Sequence, residues 1–121
     1  MTKLTLLGLE KALEHSLGTH TVGDVVAQIL AGNAQLWEDE DALIVTEVQV
    51  HPRKRVLHIW LATGDMDACI ALHHRILRWA QEEQGCELAT LAGRRGWERV
   101  LGSEGWTPRL SLMAKEIGED G

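Results

Sequence analysis

"LATGDMDACIAL", residues 61–72, decides how the chain is read. Leu61 and Ala62 end an apolar stretch, Gly64 breaks it, and Asp65 opens a helical pattern. A strand that turns at one glycine straight into a helix carries the chain across a sheet. The strand that follows such a crossover must run parallel to the one before it. Upstream, "RVLHIWLAT" is apolar at nearly every position, as a strand buried on both faces should be. Downstream, "DMDACIALHHRILRWAQEEQG" reads as one long helix. Met66, Cys69, Ile70, His73, Ile76, Leu77 and Ala80 form its core stripe, and Gly85 is its C-cap. "CELATLA" is then the parallel strand.

Working outward, "ALIVTEVQVHP" is rich in β-branched residues and ends at Pro52. Pro52, Arg53 and Lys54 join it to "RVLHIWLAT" as a hairpin. "AQLWEDED" is a short strand running into an acidic turn, so the strands between about 34 and 62 should form an antiparallel meander. Two helices precede them. "LTLLGLEKALEHSLG" places Leu6, Leu9, Leu13 and Leu17 at helical spacing, with Gly18 as a stop. "THTVGDVVAQILAGN" opens with Thr21 and Asp24 at capping-box spacing, followed by Val22, Val25, Val26, Ile29 and Leu30 as an apolar stripe. "GRRGWERVLGSEG" is a short helix ended by Gly105, and "TPRLSLMAKEI" alternates Leu110, Leu112 and Ala114 as a last strand. Gly64, Gly85, Gly93 and Gly105 should all mark element boundaries. The expected fold is α/β (α+β): a mixed, mostly antiparallel sheet of about five strands with helices on both faces. Residues 1–121 should form one domain.

Composition excludes several functions. Apolar residues make up 45% of the chain and charged residues 25%, which suits a packed core. No apolar run reaches the ~20 residues that span a bilayer, so no membrane partner is expected. The N-terminus lacks a signal-peptide pattern, and the chain is expected to be intracellular and unprocessed. Cys69 and Cys86 suit a reducing compartment and lack metal-site spacing. A net charge of −6 argues against nucleic-acid binding by bulk charge.

Few residues suggest chemistry. Glu47 sits mid-strand in "IVTEVQV", where desolvation would raise its pKa and suit it to general base work. His58 on the next strand is within one register step of facing it. Alternatively, Glu47 faces the outer side of the sheet near a helix end or a basic partner. Arg94 and Arg95 open the short helix and could bind an anion on a ligand or partner; equally they could pair with Glu98 or Glu104 in a solvated turn. His73 and His74 are adjacent on a helix, point about 100° apart and cannot chelate one metal. "WEDED" lacks the spacing of a calcium loop, so no metal is expected. Of the five Trp, Trp79 lies near the polar side of its helix and is the candidate for a partner surface.

This element order resembles the GNAT acyltransferase fold. The segment "GDMDACIALHHRILRWAQEEQGC" followed by "GRRGWERVLGSEGW" is similar to small GNAT-like proteins of tailed phages and prophages, including the GNAT-like part of the internal virion protein A of T7-like phages. The resemblance implies a cofactor turn of the form Q/R-x-x-G-x-G/A, which cradles the acetyl-CoA pyrophosphate at the start of the long helix. The matching stretch is "TGDMDACIAL", with one glycine, Gly64, and with Asp65 and Asp67 where the anion would sit. Those carboxylates satisfy the helix start themselves, so the turn is expected to bind no phosphate. The resemblance also implies a Tyr four residues before Gly105-Trp106; that position is Leu101, and the chain contains no Tyr. The expected function is a catalytically degenerate, phage-encoded protein that binds a virion or host protein in the host bacterial cytoplasm or virion. Self-association is compatible with it, and no cofactor is expected. The alternatives are an acetyl-CoA-dependent N-acyltransferase with an atypical turn, and an acidic inhibitor of a host protein.

Overall fold

A computed structural model describes residues 1–92 and 95–118, with the Arg95 side chain outside the description. The chain divides into two compact units, Met1–Leu91 and Ala92–Gly121.

The first unit holds α1 (Lys3–Leu13), α2 (Val22–Leu30), β1 (Gln35–Glu38), β2 (Ala42–Val50), β3 (Arg55–Gly64), α3 (Met66–Gln84) and β4 (Leu88–Leu91). Its sheet runs β1-β2-β3-β4. The first two pairings are antiparallel and β3–β4 is parallel, as the crossover through α3 requires. The β2–β3 turn closes through the His51 N–H donating to the Lys54 carbonyl.

Helices cover both faces of the sheet. Leu43, Val45 and Leu61 project to one side and pack with Leu9 and Ala12 of α1 and Val25 of α2. By alternation, Ile44 and its cross-strand partner Trp37 project to the other. There Trp37 meets Trp79 of α3 edge to face, with ring centroids 5.1 Å apart. The Trp37 indole N–H donates to Thr46 Oγ1, which donates in turn to Gln35 Oε1. Thr46 has no exposed surface, and this relay satisfies its buried hydroxyl.

Both helix ends of α3 are specified locally. Asp65 is its N-cap, its carboxylate accepting the Ala68 N–H at 3.0 Å. Gly85 closes it in the left-handed region at φ 65°. The Arg55 Nε–H donates to the Gln84 carbonyl, tying the start of β3 to the end of α3. His73 is buried inside, its Nδ1–H donating to the Ile70 carbonyl, and is thus a core histidine.

Three sequence expectations need correction. α1 ends at Leu13, well short of Gly18. Its buried residues are Thr5, Leu9 and Ala12, while Leu6 and Leu17 are exposed. The Thr5 hydroxyl donates to the Glu38 carboxylate, so a polar anchor displaces the leucine stripe. In α3, Leu72 joins the buried set. The third correction concerns the sheet, which has four strands among the described residues. In the second unit, α4 (Arg95–Leu101) and a 3-10 turn (Gly102–Glu104) end at Gly105, at φ 89°. Residues 107–117, expected as a fifth strand, form no ladder.

No helix among the described residues is long and apolar enough to cross a membrane.

Candidate functional site

Glu47 and His58 are direct cross-strand partners between β2 and β3. His58 is in turn the register partner of Thr90 on β4, and His58 Nδ1 lies 2.9 Å from Thr90 Oγ1. Cross-strand partners share a face, so Glu47, His58 and Thr90 form a row across three strands. Glu47 alternates with Val45, which puts the row on the sheet face covered by α1 and α2. Burial pushes the His58 imidazole below its ordinary 6.5, and the Glu47 charge pulls it part of the way back. His58 is therefore neutral at pH 7, and Glu47 favours the imidazolium whenever it forms.

The register slips by one residue beside this row. Val45 pairs with Leu61 and Thr46 with Ile59, leaving Trp60 as the extra residue of a β-bulge. Trp60 then packs with Leu61 on the α1–α2 face, where His20 meets its ring edge to face at 4.9 Å. β4 also stops here. It pairs with Val56 through Ile59 only, so residues 60–64 of β3 have no β4 partner. The β3–β4 ladder thus stops where the bulge begins.

β3 ends at the turn into α3. Gly64 takes φ 126°, and a Cβ there would meet the backbone of Asp41 and Ala42. The Asp65 N–H donates to the Asp41 carbonyl at 2.8 Å. Asp39 Oδ1 accepts the N–H groups of Asp41 and Ala42, which folds the acidic β1–β2 turn beside the helix start. Cys69 registers the resulting field. Burial first, then the charges of Asp39 and Asp65, push its thiol up. Its Sγ–H donates to the Thr63 carbonyl, and a neutral, buried thiol of this kind is inert.

The other sequence candidates are scattered. Trp79 is partly buried against Trp37. Arg94 lies outside the described residues, and of Arg95 only its place as the first residue of α4 is described. No group of three His, Cys, Asp or Glu among the described residues could hold a metal. Sequence reading missed Thr90, though a lone hydroxyl inside "CELATLA" was a usable signal.

No protein-family model matches the chain. No curated protein matches it in sequence. Solved structures do match in shape. A Trypanosoma brucei acetyltransferase superposes with a TM-score of 0.69 at 10% identity, over 97% of this chain and 96% of its own. Glucosamine-6-phosphate N-acetyltransferase from Arabidopsis thaliana gives 0.68 at 12% identity, over 93% and 88%. An aminoglycoside N-acetyltransferase in complex with CoA gives 0.64 at 12% identity, over 97% and 91%. The fold is the GNAT fold.

The aminoglycoside N-acetyltransferase is in complex with CoA, and in this chain the stretch that resembles a cofactor turn is the start of α3. A pyrophosphate there needs free backbone N–H groups and a positive helix end. The Asp65 N–H is already bonded to Asp41, the Ala68 N–H to the Asp65 carboxylate, and the Cys69 N–H to the Asp65 carbonyl. The charges of Asp39 and Asp65 reach the first turn of the helix, as the Cys69 thiol records. Three N–H groups of the turn and first helical turn are thus engaged within the chain, with carboxylate charge beside them.

Proposed function

We propose that the protein is a GNAT-fold N-acyltransferase that keeps an acceptor site and has a donor turn unsuited to a nucleotide. The row Glu47–His58–Thr90 carries this reading. With Nδ1 held at Thr90 Oγ1, the Nε2 of His58 is the atom available to take a proton from an incoming ammonium. Burial keeps the ring in its basic form, and Glu47 stabilises the cation that results. These are the properties a general base for amine acylation needs. The row also lies beside the point where the β3–β4 pairing ends. In GNAT proteins the acyl donor enters where these two parallel strands separate.

The test is acyl transfer from acetyl-CoA and from the shorter donor acetyl-pantetheine to a panel of primary amines. Turnover that His58→Gln abolishes, with kcat/KM falling on the acid side as His58 protonates, supports the reading. Turnover unaffected by His58→Gln removes His58 from the role.

One observation favours a second reading. Asp65 caps α3 with its own carboxylate, as a helix start with no ligand to hold would do. On that reading the chain is a catalytically inactive GNAT-fold protein of a tailed phage that acts by binding a virion or host protein. Absence of both CoA binding and turnover with either donor selects it.

A further inference from the structure

We infer that the groove at the β2–β3 hairpin holds the body of the amine acceptor, and that this acceptor is a short peptide with acidic side chains. This rests on the role proposed for His58, which fixes where the amino group sits. A second row follows the Glu47–His58–Thr90 row along the sheet. Gln49, Val56 and Leu88 are register partners across the same three strands. Each is two residues from its counterpart in the first row, so both rows lie on one sheet face. Past the second row the chain turns through Pro52, Arg53 and Lys54.

An open groove of about 830 Å³ lies there, lined by His51, Arg53, Lys54, Val56, Glu87 and Leu88. Val56 and Leu88 give it an apolar floor, and Leu88 is 45% exposed. Arg53 and Lys54 bring two full charges to its hairpin end. Both are exposed, and among the described residues neither pairs with a carboxylate. The Arg55 guanidinium is committed elsewhere, its Nε–H donating to the Gln84 carbonyl. His51 is tied to Gln49, with Nε2 3.3 Å from Gln49 Oε1. Glu87 is the only carboxylate on the lining among the described residues. The groove is therefore cationic in a chain whose net charge is −6.

Spacing selects the ligand. A strand rises about 3.3 Å per residue, so Val56 lies about 7 Å from His58, and Lys54 about 13 Å. An extended peptide advances by nearly the same step. With its amino group at His58, its third residue reaches Val56 and Leu88, and its fourth and fifth reach Lys54 and Arg53. An apolar third residue followed by two acidic ones is the complementary pattern. A nucleic acid is the wrong polyanion, because its many phosphates would meet the chain's excess of carboxylates.

NMR titration at fixed ionic strength tests the groove, with Gly-Ala-Leu-Asp-Glu amide against Gly-Ala-Leu-Lys-Lys amide. The acidic peptide is expected to bind about five- to tenfold tighter, as two exposed charge pairs allow. Its amide shifts should centre on residues 51–56 and 87–88. The double variant Arg53→Gln, Lys54→Gln alters only exposed side chains and should erase the preference, with circular dichroism confirming the fold. His58→Gln should leave the preference intact, which separates the groove from the base. A preference shown by a parent that transfers no acyl group keeps the groove and removes only the reaction. Transfer to both peptides with equal affinity keeps His58 in its role and overturns the groove. A preference that survives the double variant, or binding of neither peptide, also overturns it.

Discussion

The carbonyl of Asp41 occupies the space that a side chain on Gly64 would need. A Cβ at Gly64 would also lie 2.7 Å from the Ala42 Cα, and the backbone is at φ 126°. Steric conflict and backbone strain therefore act together. Gly64→Ala should destabilise the fold by roughly 2–4 kcal/mol. Gly85 separates the two effects, because it also has positive φ but nothing within 4 Å of its Cβ position. Gly85→Ala should cost only about 1–2 kcal/mol. Urea unfolding of both variants checks the difference, and equal losses would remove the contact with Asp41 from the account.

The His58 ring should titrate below an exposed histidine, a shift readable from its Cε1 proton by NMR. Burial lowers its pKa and Glu47 opposes that, so Glu47→Gln should move the midpoint lower still. The link to stability has a definite sign. A histidine whose folded pKa lies below its unfolded 6.5 contributes stability that is fully present above 6.5. That stability is lost as pH falls from there through the folded pKa. His58→Gln should flatten this part of the stability profile. A midpoint that rises in Glu47→Gln contradicts the pairing.

Thr46→Val is nearly isosteric, yet it removes the acceptor of the Trp37 N–H and the donor to Gln35. Thr46 is completely buried and Trp37 and Gln35 are half-buried, so the orphaned groups regain water only in part. The expected loss is about 1–3 kcal/mol. The Trp37–Trp79 contact should loosen with it, giving a red shift in tryptophan emission. An unchanged spectrum and unchanged stability would show that the relay contributes nothing.

The carboxylate charge at the start of α3 can be removed in part. Asp65→Asn keeps a capping side chain and removes one charge, at a few tenths of a kcal/mol. Asp67→Gly removes another at about 1 kcal/mol of helix propensity. Calorimetric titration with CoA at fixed ionic strength should show tighter binding by the double variant than by the parent. Equal affinities would mean that these carboxylates are not the obstacle.

The turn at Gly64 was legible because one glycine between an apolar run and a capped helix allows few structures. The meander, the parallel β4, the Thr21–Asp24 capping box and the Gly85 cap were legible for the same local reasons. The Glu47–His58 pair was legible to within one residue. The bulge at Trp60 was not, because "RVLHIWLAT" is apolar on both faces and gives no period from which to read a slip. Thr5 was missed because its burial depends on Glu38, 33 residues away. The strand expected at 107–117 failed for a complementary reason. Its alternation was present, but whether an edge receives it is not written in the segment itself.

The β3–β4 ladder joins only four residue pairs, and its two strands are separated in sequence by the whole of α3. The β2–β3 hairpin has a turn of four residues and a ladder more than twice as long. Loop closure costs little for the hairpin and more for the crossover. The hairpin should therefore assemble early and be largely formed at the rate-limiting barrier, with β4 docking afterwards. Substitutions at Val45 or Leu57 should then slow refolding, whereas Ala89→Gly should chiefly speed unfolding. On the ribosome, α1, α2 and the hairpin are all made before β4, so the growing chain holds the edge of β3 open until residues 88–91 have emerged.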